Sequence, residues 1–252
     1  MKAIISDIHG NLEALTSVLR DMETRDVGEV VCLGDIIGYG PEPVECFEKV
    51  KHLLDGAHCV MGNHEEAVTA GNAESFTSRA RRAIEWTKMQ MFGAEGNPDE
   101  GAEERRALLS SLPTIIERDG TTYVHGSPRS HTREYITPRD ARNSTKMSDI
   151  FTQVETLCFV GHTHIAGVFT EEGFSSPEDL MNIYIAGSEK AIINVGSVGQ
   201  PRDGDVRACY VTFDGDTVIF RRVEYDIGVT AARIYSIPDL DRSLGDRLKV
   251  GR

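Results

Sequence analysis

A regular alternation of short apolar segments and amphipathic segments in the first sixty residues constrains the fold more than any other feature of the chain. Residues 2–6, 29–33 and 57–61 are apolar runs typical of buried strands, and residues 11–23 and 42–54 have apolar side chains at helical spacing. Strands that alternate with helices pair in parallel through right-handed crossovers. The sequence therefore predicts an α/β fold in which the carboxyl ends of several strands meet at one edge of a sheet.

The rest of the chain divides into a helical part, a polar part and a strand-rich part. Residues 64–112 are predicted to be helical apart from a loop at 93–101, where glycine, asparagine, proline and acidic residues accumulate. Residues 126–156 form a polar segment with a helix near 138–150. We expect one domain over residues 1–252, with a helical insertion at about 64–112 and a rim or cap segment at about 126–156. The predicted strands of the second half are 114–118, 121–125, 157–161, 167–171, 183–186, 191–195, 206–213 and 217–223.

The charge balance argues against several kinds of partner. The chain has 27 lysines and arginines against 40 aspartates and glutamates, for a net charge of −13. Binding to long nucleic acids or to anionic membranes needs a basic surface, so neither is expected. A local positive field around bound metal ions remains compatible with this charge.

The cysteines and the N-terminal segment predict a soluble, cytoplasmic protein. The chain has 5 cysteines, none of them in a CxxC motif, and three lie in or beside apolar strand segments. We interpret them as small buried side chains in a reducing compartment. The sequence contains no recognisable signal peptide and no run of transmembrane length.

Side chains that can bind metals follow the predicted strands. Together they supply two carboxylates, one amide and four or five imidazoles, which can hold a pair of metal ions. This mixture of nitrogen and oxygen donors suits Mn, Fe, Zn, Ni or Co. The motifs, in chain order, are Asp7-Ile8-His9, Gly34-Asp35, Gly62-Asn63-His64-Glu65, His125-Gly126 and Gly161-His162-Thr163-His164.

The spacing within the motifs indicates how two ions would be shared. Asp7 and His9 are two residues apart on an extended segment, so they point the same way and can chelate one ion. Asp35 stands alone in its motif and is the candidate for a bridging carboxylate. Two divalent ions, two aspartates and one hydroxide leave the cluster near +1, which attracts phosphate and activates water.

The motifs DxH, GD, GNH[DE], H and GHxH, in this order, resemble those of the calcineurin-like metallophosphoesterases. They span residues 7–164, and three further segments are similar to a bacterial branch of small phosphodiesterases and diadenosine tetraphosphatases. The resemblance implies a four-layer α-β-β-α sandwich of two mixed β-sheets flanked by helices, with a dinuclear metal site at the carboxyl edges of the strands. The three segments are GDIIGYGP at 34–41, HGSPR at 125–129 and NVGSVGQPR at 194–202.

The resemblance also implies a role for each motif residue. His64 would face the substrate and either protonate the leaving oxygen or stabilise its charge, while a bridging hydroxide attacks phosphorus in line. Manganese is the preferred expectation for both ions. The first metal would be held by Asp7, His9, Asp35 and His164, and the second by Asp35, Asn63, His125 and His162.

One departure from the wider superfamily bears on the substrate. Phosphoprotein phosphatases carry an aspartate and an arginine in the segment GDxxDRG, whereas Gly38 and Gly40 occupy those places here. The carboxylate that would orient His64 and a guanidinium that would clamp phosphate are therefore absent from that segment. This difference argues against a phosphoprotein phosphatase.

Other residues are candidates for contacting a substrate. Arginines 129, 133, 139 and 142 form a basic group just after His125, and arginine binds phosphate through paired hydrogen bonds. A glycine-rich turn after residue 193 offers further polar groups, and an aromatic side chain could stack on a base. The individual candidates are Arg129, Arg133, Asn194, Ser197, Arg202 and Tyr39.

The sequence therefore favours a metal-dependent phosphoesterase that acts on a small phosphodiester or phosphoanhydride. A dinucleoside polyphosphate such as diadenosine tetraphosphate is the preferred substrate, because the arginines could bind its additional phosphates. The alternatives are a general or cyclic-nucleotide phosphodiesterase, a phosphoprotein phosphatase and an inert scaffold. A small phosphate compound, in particular a nucleotide, is the expected partner, and the oligomeric state stays open.

Overall fold

Two β-sheets pack face to face in the computed structural model, which describes residues 1–53, 57–71, 73–74, 76–94 and 100–252. One sheet has the strand order β2-β1-β10-β11-β8 and the other β3-β4-β5-β9-β6-β7. Both sheets are mixed, with parallel and antiparallel pairs of strands. The strands are β1 (Lys2–Ile5), β2 (Glu29–Cys32), β3 (Ile115–Arg118), β4 (Thr121–Val124), β5 (Leu157–Val160), β6 (Gly167–Thr170), β7 (Gly173–Ser175), β8 (Ile183–Ile185), β9 (Ala191–Asn194), β10 (Ala208–Phe213) and β11 (Thr217–Val223).

Helices cover the outer faces of both sheets. Successive side chains of β1 point to opposite faces of the first sheet. Ile5 packs on the helical side with Leu15, while Ile4 packs between the sheets with Phe159. The outer face of the second sheet is covered by α6. The predicted α-β-β-α sandwich is confirmed. The helices are α1 (Leu12–Glu23), α2 (Pro43–Val50), α3 (Asn63–Ala70), α4 (Ser78–Phe92), α5 (Ala102–Ser111), α6 (Ser144–Thr152), α7 (Ile227–Ser236) and α8 (Ser243–Leu248).

The strand predicted at 57–61 is wrong, because only a single parallel bridge between Cys32 and Cys59 forms there. The N–H of Val60 donates to Cys32 O, but the N–H of Met61 already donates to Pro113 O and α3 starts at Asn63. The chain therefore leaves the sheet after one pair of hydrogen bonds. The short strand β7 was not predicted.

Several predicted segments are shorter or more divided than expected. The helical part at 64–112 consists of α3, α4 and α5, and most of the loop predicted at 93–101 lies outside the described residues. The polar segment 126–156 contains a short 3-10 helix, Asp140–Arg142, followed by α6. Among the described residues, none of the helices has the length and apolar character that crossing a membrane requires.

The C-terminal residues form α7 and α8, which pack on α4. Leu240, Leu244 and Leu248 are buried there in a cluster with Ala83 and Ile234. Tyr39, from the loop after β2, packs against the same cluster. The end of the chain is thereby anchored beside the loops that carry the predicted metal ligands.

Candidate metal centre

The loops after three strands have a left-handed backbone at the predicted ligands. Residues with a β-carbon rarely adopt this conformation, and each instance costs about 1 kcal/mol or more. Backbone hydrogen bonds from the N–H of Asp7 to Gly34 O and from the N–H of His9 to Asp35 O join the first two loops. The five residues concerned, with φ between 49° and 64°, are Asp7, His9, Asp35, His162 and His164.

Backbone carbonyls determine which nitrogen of each histidine is free. A carbonyl oxygen only accepts hydrogen bonds, so the ring nitrogen beside it carries the proton and the other nitrogen keeps a lone pair. In His162, Nε2 lies 3.2 Å from Arg133 O, which leaves the lone pair on Nδ1. In three histidines Nδ1 donates and Nε2 is free: His9 to Ile37 O at 3.2 Å, His125 to Leu33 O at 2.9 Å and His164 to Gln200 O at 2.6 Å.

The free nitrogens face one another in two groups. Nε2 of His9 lies 3.2 Å from Nε2 of His164, and Nε2 of His125 lies 3.0 Å from Nδ1 of His162. The amide oxygen of Asn63 is 2.9 Å from the same nitrogen of His125. Lone pairs that converge in this way repel one another unless a cation lies between them. These nitrogen and oxygen atoms could therefore serve as ligands of two metal ions, each bound partly by imidazole nitrogen.

Each aspartate uses one oxygen for the backbone and directs the other at the histidines. Asp7 Oδ2 accepts the N–H of His162, while its Oδ1, which has no hydrogen-bond partner among the described residues, lies 3.1 Å from His164 Nε2. Asp35 Oδ1 accepts the N–H of His64. Asp35 Oδ2 is 3.3 Å from His125 Nε2 and 3.7 Å from His9 Nε2, so it lies between the two groups.

The protonation of these residues suits metal binding. Burial lowers the pKa of His9 and His164, and it lowers the pKa of His162 to about 3, so these imidazoles are neutral. Burial opposes ionisation of Asp35, but the nearby histidines outweigh it and hold its pKa well below the usual value. Burial also opposes a charge on His125, yet Asp35 raises its pKa to about 9. In the metal-free protein a proton on His125 would take the place of a cation.

His64 is buried beside the two groups and is packed among aromatic rings. Its ring centroid lies 4.8 Å from that of His9, 4.5 Å from Tyr39 and 5.2 Å from Phe76. Burial lowers its pKa to about 4, and its Nδ1 has no hydrogen-bond partner among the described residues. With His9 and Asp35 it also forms a third group of potential ligand atoms that lie within 4.8 Å of one another.

The two glycines that depart from the phosphatase pattern leave no space for side chains. A β-carbon on Gly38, whose φ is +91°, would lie 2.2 Å from Nδ1 of His64. A β-carbon on Gly40 would lie 2.1 Å from His9 O. With this backbone, neither an aspartate nor an arginine could stand at these positions. The ring of His64 occupies the space that an orienting carboxylate would need.

Glu65 joins the loop after β2 to the start of α3. Its carboxylate accepts the N–H groups of Asp35, Ile36 and Ile37, and also the N–H of Gly62. Burial and the charge of Asp35 raise its pKa to about 7, while the backbone donors favour the ionised form. Glu65 therefore holds the backbone around Asp35 in position.

A cavity of about 190 Å³ opens beside the second group of donors. Its lining includes Asn63, His162, Phe76, Arg133 and Tyr135. The ring of Tyr135 stacks on that of His162 with 3.9 Å between centroids, and Arg133 forms an ion pair with Glu66. The candidate Arg133 thus lies at the opening, while Tyr135 and Phe76 were not singled out. The sequence signal for Tyr135 is an aromatic residue within the polar segment 126–156, whereas Phe76 lies in the part predicted to be helical.

Arg129 is engaged elsewhere. Its guanidinium forms ion pairs with Glu134 and with Asp149 in α6. Glu134 also accepts a hydrogen bond from Ser127. These contacts tie the segment after His125 to α6 and do not bring Arg129 to the cavity lining.

Asn194 and Ser197 are fully buried beneath the loops. Asn194 donates to Gly161 O and to the hydroxyl of Thr163, and Ser197 donates to Asp7 O. With no exposed surface, these two side chains support the loops that carry the predicted ligands and do not reach the cavity.

Tyr39 and Arg202 lie together at the rim. The guanidinium carbon of Arg202 is 6.0 Å from the ring centroid of Tyr39, and that ring is 4.8 Å from the ring of His9. Tyr39 has a left-handed backbone, with φ of 62°. Both side chains are half-buried, so they keep surface that a bound molecule can reach.

Comparison with known proteins gives one family. The model of the calcineurin-like phosphoesterase superfamily domain matches residues 1–217. An uncharacterized protein of Methanocaldococcus jannaschii is 38% identical over 260 residues, covering 100% of this chain and 98% of the relative. The symmetrical bis(5'-nucleosyl)-tetraphosphatase of Psychromonas ingrahamii is 35% identical over 65 residues, which are 25% of this chain and 23% of that protein.

Two solved structures share the fold of this chain. A metallophosphoesterase from Sphaerobacter thermophilus has a TM-score of 0.79 at 38% identity, with 100% of this chain and 99% of that chain covered. A hypothetical protein from Pyrococcus horikoshii OT3 has a TM-score of 0.76 at 20% identity over the same shares of both chains. At that lower identity the similarity concerns the fold alone.

Proposed function

The chain belongs to the calcineurin-like phosphoesterase superfamily and is a phosphoesterase, and on that premise we propose that it hydrolyses a dinucleoside polyphosphate with two divalent metal ions. The observation that carries the proposal is the convergence of histidine ring nitrogens that face no backbone carbonyl, in two groups on either side of Asp35 Oδ2. We assign Asp7, His9, Asp35 and His164 to the first ion, and Asp35, Asn63, His125 and His162 to the second. Manganese is our preferred metal.

The chain's own residues have separate tasks in this proposal. When bound, the two ions supply Lewis-acid polarisation of the phosphate and a water of lowered pKa. Asp35 keeps the two ligand groups in register, because Glu65 and the N–H of His64 fix its backbone and one carboxylate oxygen. His64 donates a proton or a hydrogen bond to the leaving oxygen.

Two observations support a dinucleotide substrate. The 65-residue similarity is to a protein named as a bis(5'-nucleosyl)-tetraphosphatase. The cavity beside His162 presents Phe76 and Tyr135, on whose rings a nucleobase can stack, together with Arg133 for a phosphate. These side chains come from the segments at 64–112 and 126–156, and we propose that both segments form the walls of the substrate site.

The side chains named as substrate contacts divide into two sets in this proposal. Arg133, Tyr39 and Arg202 contact the substrate, because each keeps surface at the cavity or its rim. Asn194 and Ser197 position the ligand loops, and Arg129 holds α6. We also propose a cytoplasmic location, which suits five buried free thiols.

Hydrolysis assays test the proposal. Bis-p-nitrophenyl phosphate, p-nitrophenyl phosphate and diadenosine tetraphosphate are compared with and without Mn²⁺, for the wild type, His64→Ala and the exposed control His52→Ala. We expect turnover that requires metal, prefers the dinucleotide and falls by about 10²-fold or more in His64→Ala alone. Absence of bound metal at saturating Mn²⁺ would instead indicate an inert scaffold.

A general phosphodiesterase is the second candidate. The ion pairs of Arg129 with Glu134 and Asp149 favour it, because they remove one cation that the dinucleotide proposal would use for additional phosphates. Rapid hydrolysis of bis-p-nitrophenyl phosphate with no hydrolysis of diadenosine tetraphosphate would select this candidate. A phosphoprotein phosphatase is disfavoured by the lack of space at Gly38 and Gly40.

A further inference from the structure

The C-terminal helix brings an arginine to the rim of the metal centre. Arg247, in α8, donates from Nη1 to the side-chain oxygen of Gln200 at 3.0 Å. Arg202 donates from Nη2 to the same oxygen at 2.7 Å. Two guanidinium groups from distant parts of the chain therefore converge on one neutral acceptor, which is itself buried.

The positive charges of Arg202 and Arg247 are not balanced by carboxylates in the part of the chain that the structure describes. Among the described residues, neither Arg202 nor Arg247 forms an ion pair with a carboxylate. The acidic residues nearest in sequence are engaged elsewhere, since Asp203 pairs with Arg222 and Asp246 accepts the hydroxyl of Tyr235. Two adjacent like charges without a counter-charge are unfavourable unless an anion binds between or beside them.

Two further observations support an anion-binding site at this pair. Nε of Arg202 is buried and has no hydrogen-bond acceptor among the described residues. Burial, and then the charge of Arg202, lower the pKa of Arg247. A buried guanidinium donor without a partner is rare in folded proteins, and a phosphate oxygen is a strong acceptor for it.

The arginine pair is connected directly to the first group of metal ligands. The backbone oxygen of Gln200 accepts Nδ1–H of His164 at 2.6 Å, and the N–H of Arg202 donates to His164 O at 3.1 Å. Arg202 also lies over Tyr39, whose ring contacts His9. The pair is thus beside the His9 and His164 side of the centre, whereas Arg133 lies on the His162 side.

We propose that Arg202 and Arg247 form a second anion subsite, which binds a phosphate of the substrate other than the one that is attacked. This inference rests on the proposed function and specifies its substrate class, a chain of two or more linked phosphates. A substrate with a single phosphate would contact the metal centre and leave the subsite empty. Arg247 thereby becomes a specificity-determining residue supplied by the last helix of the chain.

Calorimetric binding to the Mn²⁺-loaded protein tests the subsite without requiring turnover. The probes are inorganic tripolyphosphate and orthophosphate at constant free Mn²⁺, and the variants are Arg247→Gln, Arg247→Lys and, as a control at the start of the same helix, the exposed Arg242→Gln. We expect Arg247→Gln to raise the Kd of tripolyphosphate by about tenfold and that of orthophosphate by less than about threefold. Arg247→Lys should raise the Kd of tripolyphosphate less than Arg247→Gln does. Arg242→Gln should bind both ligands with the Kd values of the wild type.

The ratio of the two Kd values separates a subsite from a structural role. A loosened α8 would weaken the binding of both ligands equally. Equal changes in the two Kd values, or no change in the Kd of tripolyphosphate, would overturn the inference. The assays above test the function independently. If tripolyphosphate binding depends on Arg247 while diadenosine tetraphosphate is not hydrolysed, the subsite stands and the proposed substrate is wrong. If the dinucleotide is hydrolysed and Arg247 has no effect on either Kd, the function stands and the subsite is wrong.

Discussion

At the scale of single residues, the centre depends on backbone conformations that side chains usually avoid. His9 and His164, whose free nitrogens lie 3.2 Å apart, both have a positive φ. A left-handed residue changes the local direction of the chain, so a side chain two to four positions beyond a strand can lie over the strand end. Residue types at strand ends predicted which side chains would meet. The φ values could not be predicted, because they result from hydrogen bonds between loops that are distant in sequence.

Gly38 provides a test at this scale. Gly38→Ala adds a β-carbon 2.2 Å from Nδ1 of His64 at a φ of +91°, so both the ring and the backbone must move. We expect a loss of about 2 kcal/mol in unfolding free energy and at least about a tenfold loss of kcat. Urea unfolding and bis-p-nitrophenyl phosphate turnover measure the two effects. Gly28→Ala is the matched control, since nothing lies within 4 Å of its β-carbon, and equal behaviour of the two variants would refute the steric argument.

At the scale of secondary-structure elements, ion pairs and apolar clusters hold the helices to the first sheet. Asp21 in α1 accepts hydrogen bonds from Arg25 at 2.7 and 2.9 Å and from the hydroxyl of Tyr210 in β10 at 2.6 Å. The hydrogen bonds from Arg25 lower the pKa of Asp21, burial opposes this, and Tyr210 adds to the lowering. The ionised carboxylate therefore stabilises the folded state.

The stability contributed by Asp21 depends on pH. A lowered folded-state pKa means that the contribution is fully present above the unfolded value, near 3.8, and is lost as the pH falls through the folded value. We expect Asp21→Asn to lower the unfolding free energy by about 1 kcal/mol at pH 7 and by progressively less below pH 4. Denaturation of both proteins at several pH values measures the difference. A gap that stays constant down to acidic pH, or an equal loss in the exposed Asp26→Asn, would contradict this account.

Docking of α8 depends on its leucines. Leu244 is 1% exposed in the cluster shared by α4, α7 and α8. Leu244→Ala should lower the unfolding free energy by about 2–4 kcal/mol, because the transfer free energy is lost and a cavity remains. Val250→Ala, at a side chain that is 54% exposed, should change it by less than about 0.5 kcal/mol. Urea melts compare the two, and a small effect at Leu244 would mean that α8 contributes little to the fold.

At the scale of the whole molecule, the proposed metal ligands join parts of the chain that are far apart in sequence. Asp7 and His162 are linked by a hydrogen bond across 155 residues, and His125 meets Asn63 across 62. The unfolded chain cannot present these donors together, so any ion that binds the folded centre stabilises the fold.

Metal removal should therefore lower thermal stability. An ion present at 100 times its Kd adds about 2.7 kcal/mol, and for a chain of this size each kcal/mol shifts Tm by about 2–4 °C. We expect Mn²⁺ to raise Tm by several degrees over the chelated protein, and we expect His125→Ala to reduce that shift. Differential scanning calorimetry makes the comparison, with His52→Ala as a control. An identical shift in His125→Ala would place metal binding elsewhere.

The layered sandwich and the family came from the resemblance of the motifs to a known family. The sequence by itself determined the α/β alternation and the residue types at the ends of the strands. It could do so because buried strands need apolar runs and metal ions need particular donor atoms, and both are visible locally. Only the tertiary structure decided that Arg129 pairs with α6, that Asn194 and Ser197 are buried, and that Arg247 contacts Gln200 at the rim of the centre. The direction of a side chain depends on the packing of elements far apart along the chain. No local pattern in the polar C-terminal segment specifies where Leu244 and Leu248 will dock, or what Arg247 will meet there.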